Sequence, residues 1–297
     1  MNLIMPIPVT VPAAKRAVLD TVVDTLKQIP GVEAVVLGGS YARGTQREDS
    51  DLDIGIYYSQ QTPFALDDVR HLARAISVSG EPVMTGFYEW GPWVNGGAWI
   101  NTAAGKVDFL YRNLDQVQRT IDDAHHGVIQ HDYGQQPAYG FYSVIYLAET
   151  AVCIPLYDPA QHIARLKAQV TTYPPRLKAR IIADHLWSAE FTLIHARTFA
   201  ATGDVYNTGG CLTRTAANLT QALFALNEVY FMSDKGVMTT LATFSLLPPG
   251  YIEQMEALLA APGATAAELS RTVAACDALW ANVVALTYGR YQPKFIL

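Results

Sequence analysis

A valine-rich run that stops at a double glycine, followed closely by a strand carrying two acids, sets the frame for this chain. Residues 32–37 are apolar except for Glu33, and Gly38-Gly39-Ser40 follow at once. That is the signature of a strand ending in a tight turn. Residues 51–58 then alternate polar or small side chains with apolar ones. Side chains alternate along a strand with period two, so Asp51 and Asp53 share one face while Leu52, Ile54 and Ile56 share the other.

Around this core the pattern is mixed before residue 120 and helical after it. Upstream, Thr10 reads as an N-cap with Pro12 in the first turn. Val18, Val22, Leu26 and Ile29 recur at helical spacing until Pro30-Gly31 ends the helix. A second amphipathic helix is predicted over 66–77, and 98–112 reads as two strands joined by the turn 103–106. Helical patterns dominate from about 137, most clearly over 176–201, 210–232 and 264–289. The expected division is an N-terminal α+β domain over 1–122 and an all-helical domain over 123–297 that closes a cleft.

Two carboxylates one residue apart on a strand repel each other unless a cation lies between them. A hard divalent ion with oxygen ligands, Mg²⁺ with substrate phosphates above all, answers that need. The Gly-Gly-Ser turn offers backbone amides and a hydroxyl to phosphate oxygens. An anion cradle beside a cation site suits a nucleoside triphosphate chelated to Mg²⁺. Asp108, flanked by apolar Val107 and Phe109 that point the opposite way, is the candidate third acid. With it, two metal ions could hold the attacking and leaving oxygens of an in-line displacement. Asp108 would bridge to the second ion or accept the acceptor hydroxyl's proton. Arg43 either binds phosphate or pairs with Asp49. The tryptophans of 90–97 either stack on a base or sugar or pack in the core.

The stretch Gly39-Ser40-Tyr41-Ala42-Arg43-Gly44, ending in Ser50-Asp51-Leu52-Asp53 and followed by Asp108, resembles the DNA polymerase beta-like nucleotidyltransferase superfamily. It is especially similar to the minimal nucleotidyltransferases and the aminoglycoside adenylyltransferases. The resemblance covers about residues 30–112 and implies a small mixed sheet flanked by helices. It places Ser40 on the triphosphate and Asp51, Asp53 and Asp108 on the metals. Further on, Ser233-Asp234-Lys235-Gly236 and Leu247-Pro248-Pro249-Gly250-Tyr251 resemble the helical domain of the streptomycin/spectinomycin-type adenylyltransferases. That resemblance implies phosphate contacts from Lys235 and Ser50. Those enzymes carry a glutamate base between the metal strand and the third acid, where Glu81 and Glu89 both lie in range, so Asp108, Glu81 and Glu89 all stand as candidate bases.

Composition narrows the function further. Lys plus Arg number 21 against 27 Asp plus Glu, a formal charge of −6. Affinity for an extended nucleic acid needs a basic surface, so the charge balance argues against that class. Three scattered cysteines, Cys153, Cys211 and Cys276, match neither a disulfide framework nor a zinc site and indicate the cytoplasm. Residues 1–12 lack a basic n-region, and no apolar run is long enough to span a membrane. There is no Walker A lysine, no G-x-S-x-G and no H-E-x-x-H. His125, His126 and His131 read as solvated loop histidines. Arg180 and His185 resemble an R-x4-H ribonuclease motif only at the level of chance.

The expected activity is Mg²⁺-dependent transfer of a nucleoside monophosphate, AMP from ATP, to a hydroxyl of a small polar, aminoglycoside-like acceptor. Two alternatives stand beside it. One is AMP transfer to a protein side chain, as in AMP-transferring antitoxins. The other is a nucleotide-binding module without catalysis.

Overall fold

The computed structural model describes residues 11–136 and 138–295. Thr10, the expected first cap, lies outside them, and Pro12 occupies the N-cap position of the first helix. In chain order the elements begin with α1 (Ala13–Leu26), β1 (Ala34–Leu37), α2 (Gly39–Arg43), β2 (Leu52–Tyr58), α3 (Leu66–Ile76) and β3 (Val83–Met84). Then follow β4 (Gly97–Thr102), β5 (Gly105–Asn113), α4 (Leu114–His125), β6 (His131–Asp132), β7 (Phe141–Tyr142), α5 (Val144–Val152) and β8 (Ile154–Tyr157). The rest is helical: α6 (His162–Val170), α7 (Pro175–Ala201), α8 (Val205–Leu226), α9 (Val237–Leu241), α10 (Tyr251–Ala260) and α11 (Ala266–Ala285).

The chain forms two compact units, and their division does not follow the expected single cut. Residues 1–122 and 143–172 make one unit, and residues 123–142 and 173–297 make the other. The reason is β8, a strand in a region read as helical. It pairs antiparallel with β1, with Val36 opposite Pro155, and so returns the chain to the first unit. Proline has no N–H to donate and is tolerated on an edge strand, which is where β8 lies.

The first unit is built on a six-stranded mixed sheet in the order β3-β4-β5-β2-β1-β8. β1 and β2 are antiparallel, whereas β2 and β5 run parallel in a register that sets Asp53 opposite Asp108 and Ile54 opposite Phe109. The parallel step requires a crossover, which α3 and the β3–β4 segment supply. One face of the sheet is the core: Leu52, Ile54, Ile56, Ile100, Val107 and Phe109 are buried with Leu19, Val22 and Leu26 of α1 and Val69 and Leu72 of α3. On the opposite face α5 packs at one end. There Glu149 accepts two hydrogen bonds from the Arg112 guanidinium, both 2.9 Å long, and the Tyr146 ring lies under the same cation. Burying Arg112 would cost heavily without such a paired carboxylate; the Glu149 charge keeps the guanidinium's pKa raised.

In the second unit α7, α8 and α11 pack on one another through Leu186 and Leu193, Leu219 and Leu223, and Leu269 and Val273, all buried. Helix α8 starts at Val205, before the expected residue 210, because the Asp204 side chain accepts the Asn207 amide and caps it. Thr265 and Glu268 form a reciprocal capping box at the start of α11. Among the described residues no helix is long and apolar enough to cross a membrane.

Candidate active site

The end of the sheet face not covered by α5 carries the acids. The pairing of β2 with β5 puts Asp53 and Asp108 side by side on that face, since directly opposed residues project to the same side. Both are half-buried, while their neighbours Leu52, Ile54, Val107 and Phe109 are sealed in the core. Asp51 lies two residues before Asp53, just outside β2, and is half-buried.

The glycine turn meets these acids directly. The Gly38 amide donates to the Asp53 carbonyl at 2.8 Å, so one of the expected cradle amides is already used. The remaining first-turn N–H groups of α2, those of Gly39, Ser40 and Tyr41, have no partner within the helix. Gly39 is required twice. Its φ of +58° is a left-handed conformation, and a Cβ built on it would lie 1.7 Å from Asp53 Oδ2. The Asp53 carboxylate thus rests on the bare Cα of Gly39 and joins the turn to the acid pair.

The loop between α2 and β2 is tied down from behind. Ser50 Oγ accepts the Arg47 amide at 2.8 Å, and the Ser50 amide donates to the Arg47 carbonyl at 3.1 Å. Lys15, only 7% exposed although on α1, donates from Nζ to the Ser50 carbonyl and, at 3.3 Å, to that of Glu48. The same ammonium lies 5.4 Å from the centre of the Tyr41 ring. Sequence reasoning missed Lys15; the available signal was a lysine set among the apolar positions of α1. Asp49 pairs with Arg47, at 2.8 and 3.0 Å, and not with Arg43 as one expectation had it. The Arg47 guanidinium holds the Asp49 carboxyl below its usual pKa. Arg43 ends α2 exposed.

The acids fit a divalent ion as a pair on a glycine-floored shelf, the one or two carboxylates with which Mg²⁺ is ordinarily bound beside substrate phosphates. They do not form a closed cage. Among the described residues no three Asp, Glu, His or Cys side chains gather closely enough to hold an ion by themselves. The β2–β5 register brings Asp53 and Asp108 together, whereas Asp51 lies before the first paired residue of β2. Of the other candidate bases, Glu81 is exposed and paired with Arg74 at 2.7 Å, and Glu89 accepts the Gly86 amide at 2.6 Å. Lys235 belongs to the second unit, exposed in a turn before α9, with its amide on Ser233 Oγ at 3.0 Å.

The remaining motifs sort cleanly. Trp93 is buried, its ring edge-on to Tyr146, whereas Trp90 stacks on Trp99. His131 is exposed, but it lies in β6 and not in a loop, stacked on Tyr142, with Nε2–H donating to the Tyr139 carbonyl at 2.6 Å. Arg180 pairs with Asp184 at 2.6 Å, and His185 Nδ1–H donates to Asn218 Oδ1 at 2.7 Å, so these two make no ribonuclease pair.

A nucleotidyltransferase domain family matches residues 19–85, which include the glycine turn, Asp51 and Asp53 but not Asp108. No curated protein sequence matches the chain. Among solved structures, a nucleotidyltransferase-like protein from Exiguobacterium sibiricum is similar at 8% identity and a TM-score of 0.47, over 94% of this chain and 78% of that one. Residues 19–85, which carry the glycine turn and two of the strand acids, are thus similar to a nucleotidyltransferase domain.

Proposed function

We propose that this enzyme transfers AMP from ATP to a hydroxyl of a small polar, aminoglycoside-like acceptor in the cytoplasm. The observation that carries the reading is the placement of Asp53 opposite Asp108, with the Asp53 carboxylate seated on Gly39 of the phosphate turn. Asp51, Asp53 and Asp108 are the residues that would hold Mg²⁺, two ions in the full site. Bound there, the metal supplies charge stabilisation for the transferring phosphoryl group. Ser40, with the amides of Gly39 and its neighbours, receives the β- and γ-phosphates. Arg43 and Ser50 lie along the same loop for further phosphate contacts, and Lys235 remains a candidate for another.

The reaction forms a bond from the acceptor oxygen to the α-phosphorus as the bond to pyrophosphate breaks. Asp108 lies one strand further from the phosphate turn than Asp53 and takes the proton of the attacking hydroxyl. Positioning and electrostatics carry the rate, with no covalent enzyme intermediate. In this reading the first unit, residues 1–122 and 143–172, carries the nucleotide chemistry.

The test is incubation with each labelled NTP, Mg²⁺ and panels of acceptors, read by mass spectrometry. An AMP adduct on a small polyhydroxy compound supports the reading. An adduct on a protein, or turnover unaffected by chelation of divalent ions, overturns it.

A further inference from the structure

We propose that Trp99, backed by Trp90, is the wall on which the acceptor's ring stacks, and so selects ring-bearing cationic polyols. The inference rests on the transferase reading and adds a specificity residue to it. Three observations carry it.

The first is register. Trp99 on β4 is directly opposite Asp108 on β5, which is directly opposite Asp53 on β2. The three side chains form one row across the open face, with neighbouring strands about 4.8 Å apart. Trp99 is 51% exposed there, although it lies between buried Ala98 and Ile100.

The second is construction. The Trp90 ring stacks on Trp99 with centroids 4.6 Å apart and planes 24° off parallel. It sits close over Gly97, where a Cβ would lie 3.1 Å from Trp90 Cζ3 and 1.8 Å from the Phe109 carbonyl oxygen. The loop that presents Trp90 is held by buried Asn95, whose Oδ1 accepts the Tyr88 amide at 2.9 Å and whose Nδ2 donates to the Tyr58 hydroxyl at 2.8 Å. Tyr88 and Asn95 both adopt positive φ, 60° and 65°. Non-glycine residues held there cost energy that the surrounding structure must sustain, as at ligand-contacting loops.

The third is direction. In an in-line displacement the attacking and leaving oxygens lie on opposite sides of the phosphorus. With pyrophosphate leaving toward the glycine turn beside β1, the acceptor arrives from across β5, where β4 stands. An indole face stacks against the flat faces of rings, while the negative charge of the carboxylates and the bound nucleotide, which does not depend on Trp99, favours a cation.

The experiment is calorimetric titration with Mg²⁺ and a non-hydrolysable ATP analogue present. The probes are kanamycin, a ring-bearing polycation, and spermine, a polycation without rings. Kanamycin should bind, weaken at least tenfold in Trp99→Ala and recover most of that loss in Trp99→Phe. The affinities for the ATP analogue and for spermine should stay within twofold. Equal kanamycin affinity in wild type and Trp99→Ala overturns the proposal, as does failure of kanamycin to bind wild type. Turnover of Asp53→Asn separates the two levels. If that variant remains active, the transferase reading itself fails. If it is inactive while Trp99→Ala binds kanamycin normally, only the stacking wall fails.

Discussion

The two faces of the six-stranded sheet are made by the same strands, one residue apart, and they do opposite work. Leu52, Ile54, Val107 and Phe109 are wholly buried against α1 and α3, whereas Asp53, Asp108 and Trp99 line the other face with partial exposure. The alternation that separates them comes from strand geometry alone. Burial on one side fixes the register, because slipping by one residue would turn every core side chain outward. The apolar face therefore holds the acids in place without touching them.

The sharpest way to break this comparison is Asp53→Asn. Transfer should fall by about 10³-fold or more, as expected when a metal-binding carboxylate is lost, while the melting temperature stays nearly unchanged. A large drop in melting temperature would mean that the acid belongs to the scaffold. Phe109→Ala, adjacent to Asp108 but on the core face, should do the reverse. Truncating a buried phenylalanine costs about 3–5 kcal/mol, readable by urea denaturation, and residual folded protein should keep its affinity for the nucleotide.

A pH measurement sharpens the contrast from outside the sheet. Burial holds the imidazole of His185, in the second unit, down to about 4. Its folded value lies below the unfolded one, so folding favours the neutral form. The contribution is complete above roughly pH 6.5 and drains away as pH falls toward 4, a loss of at most about 3 kcal/mol. Wild type should therefore lose more stability between pH 7 and pH 4.5 than His185→Gln. Equal losses would remove His185 from the acid response.

The smallest expected effect is that of Lys15→Met, which keeps the buried stem and removes the ammonium from the Ser50 and Glu48 carbonyls. Hydrogen bonds from a charged donor are worth about 1.5–3 kcal/mol each at most. Stability should fall by about 1–3 kcal/mol, and turnover should fall through kcat with little change in the KM for the nucleotide. A change confined to KM would assign Lys15 to nucleotide contact instead of loop support.

Much of this site could be read from the sequence because its signals are local. The turn glycines, the period-two placement of Asp51 and Asp53, and the lone acid at Asp108 all follow from neighbours in the chain. Register is the next level: the hairpin of β4 and β5 sets Trp99 opposite Asp108, yet nothing in the local pattern singles Trp99 out. Lys15 and β8 were illegible for a deeper reason. A lysine's choice of two distant carbonyls, and the return of Ile154-Pro155-Leu156-Tyr157 to the edge of β1, depend on contacts across long stretches of chain. The bond pairing Arg47 rather than Arg43 with Asp49 was likewise decided by the turn over 47–50, not by composition.

That late return has a consequence for synthesis. When the ribosome has released only the segment through β5, β1 still exposes a row of backbone donors and acceptors, a template for joining another chain edge to edge. The sheet cannot finish until residues 154–157 emerge, by which time residues 123–142 of the other unit have already passed. A fragment cut at 122 should be prone to aggregate, and one extended through 172 supplies the missing strand and the rest of the first unit.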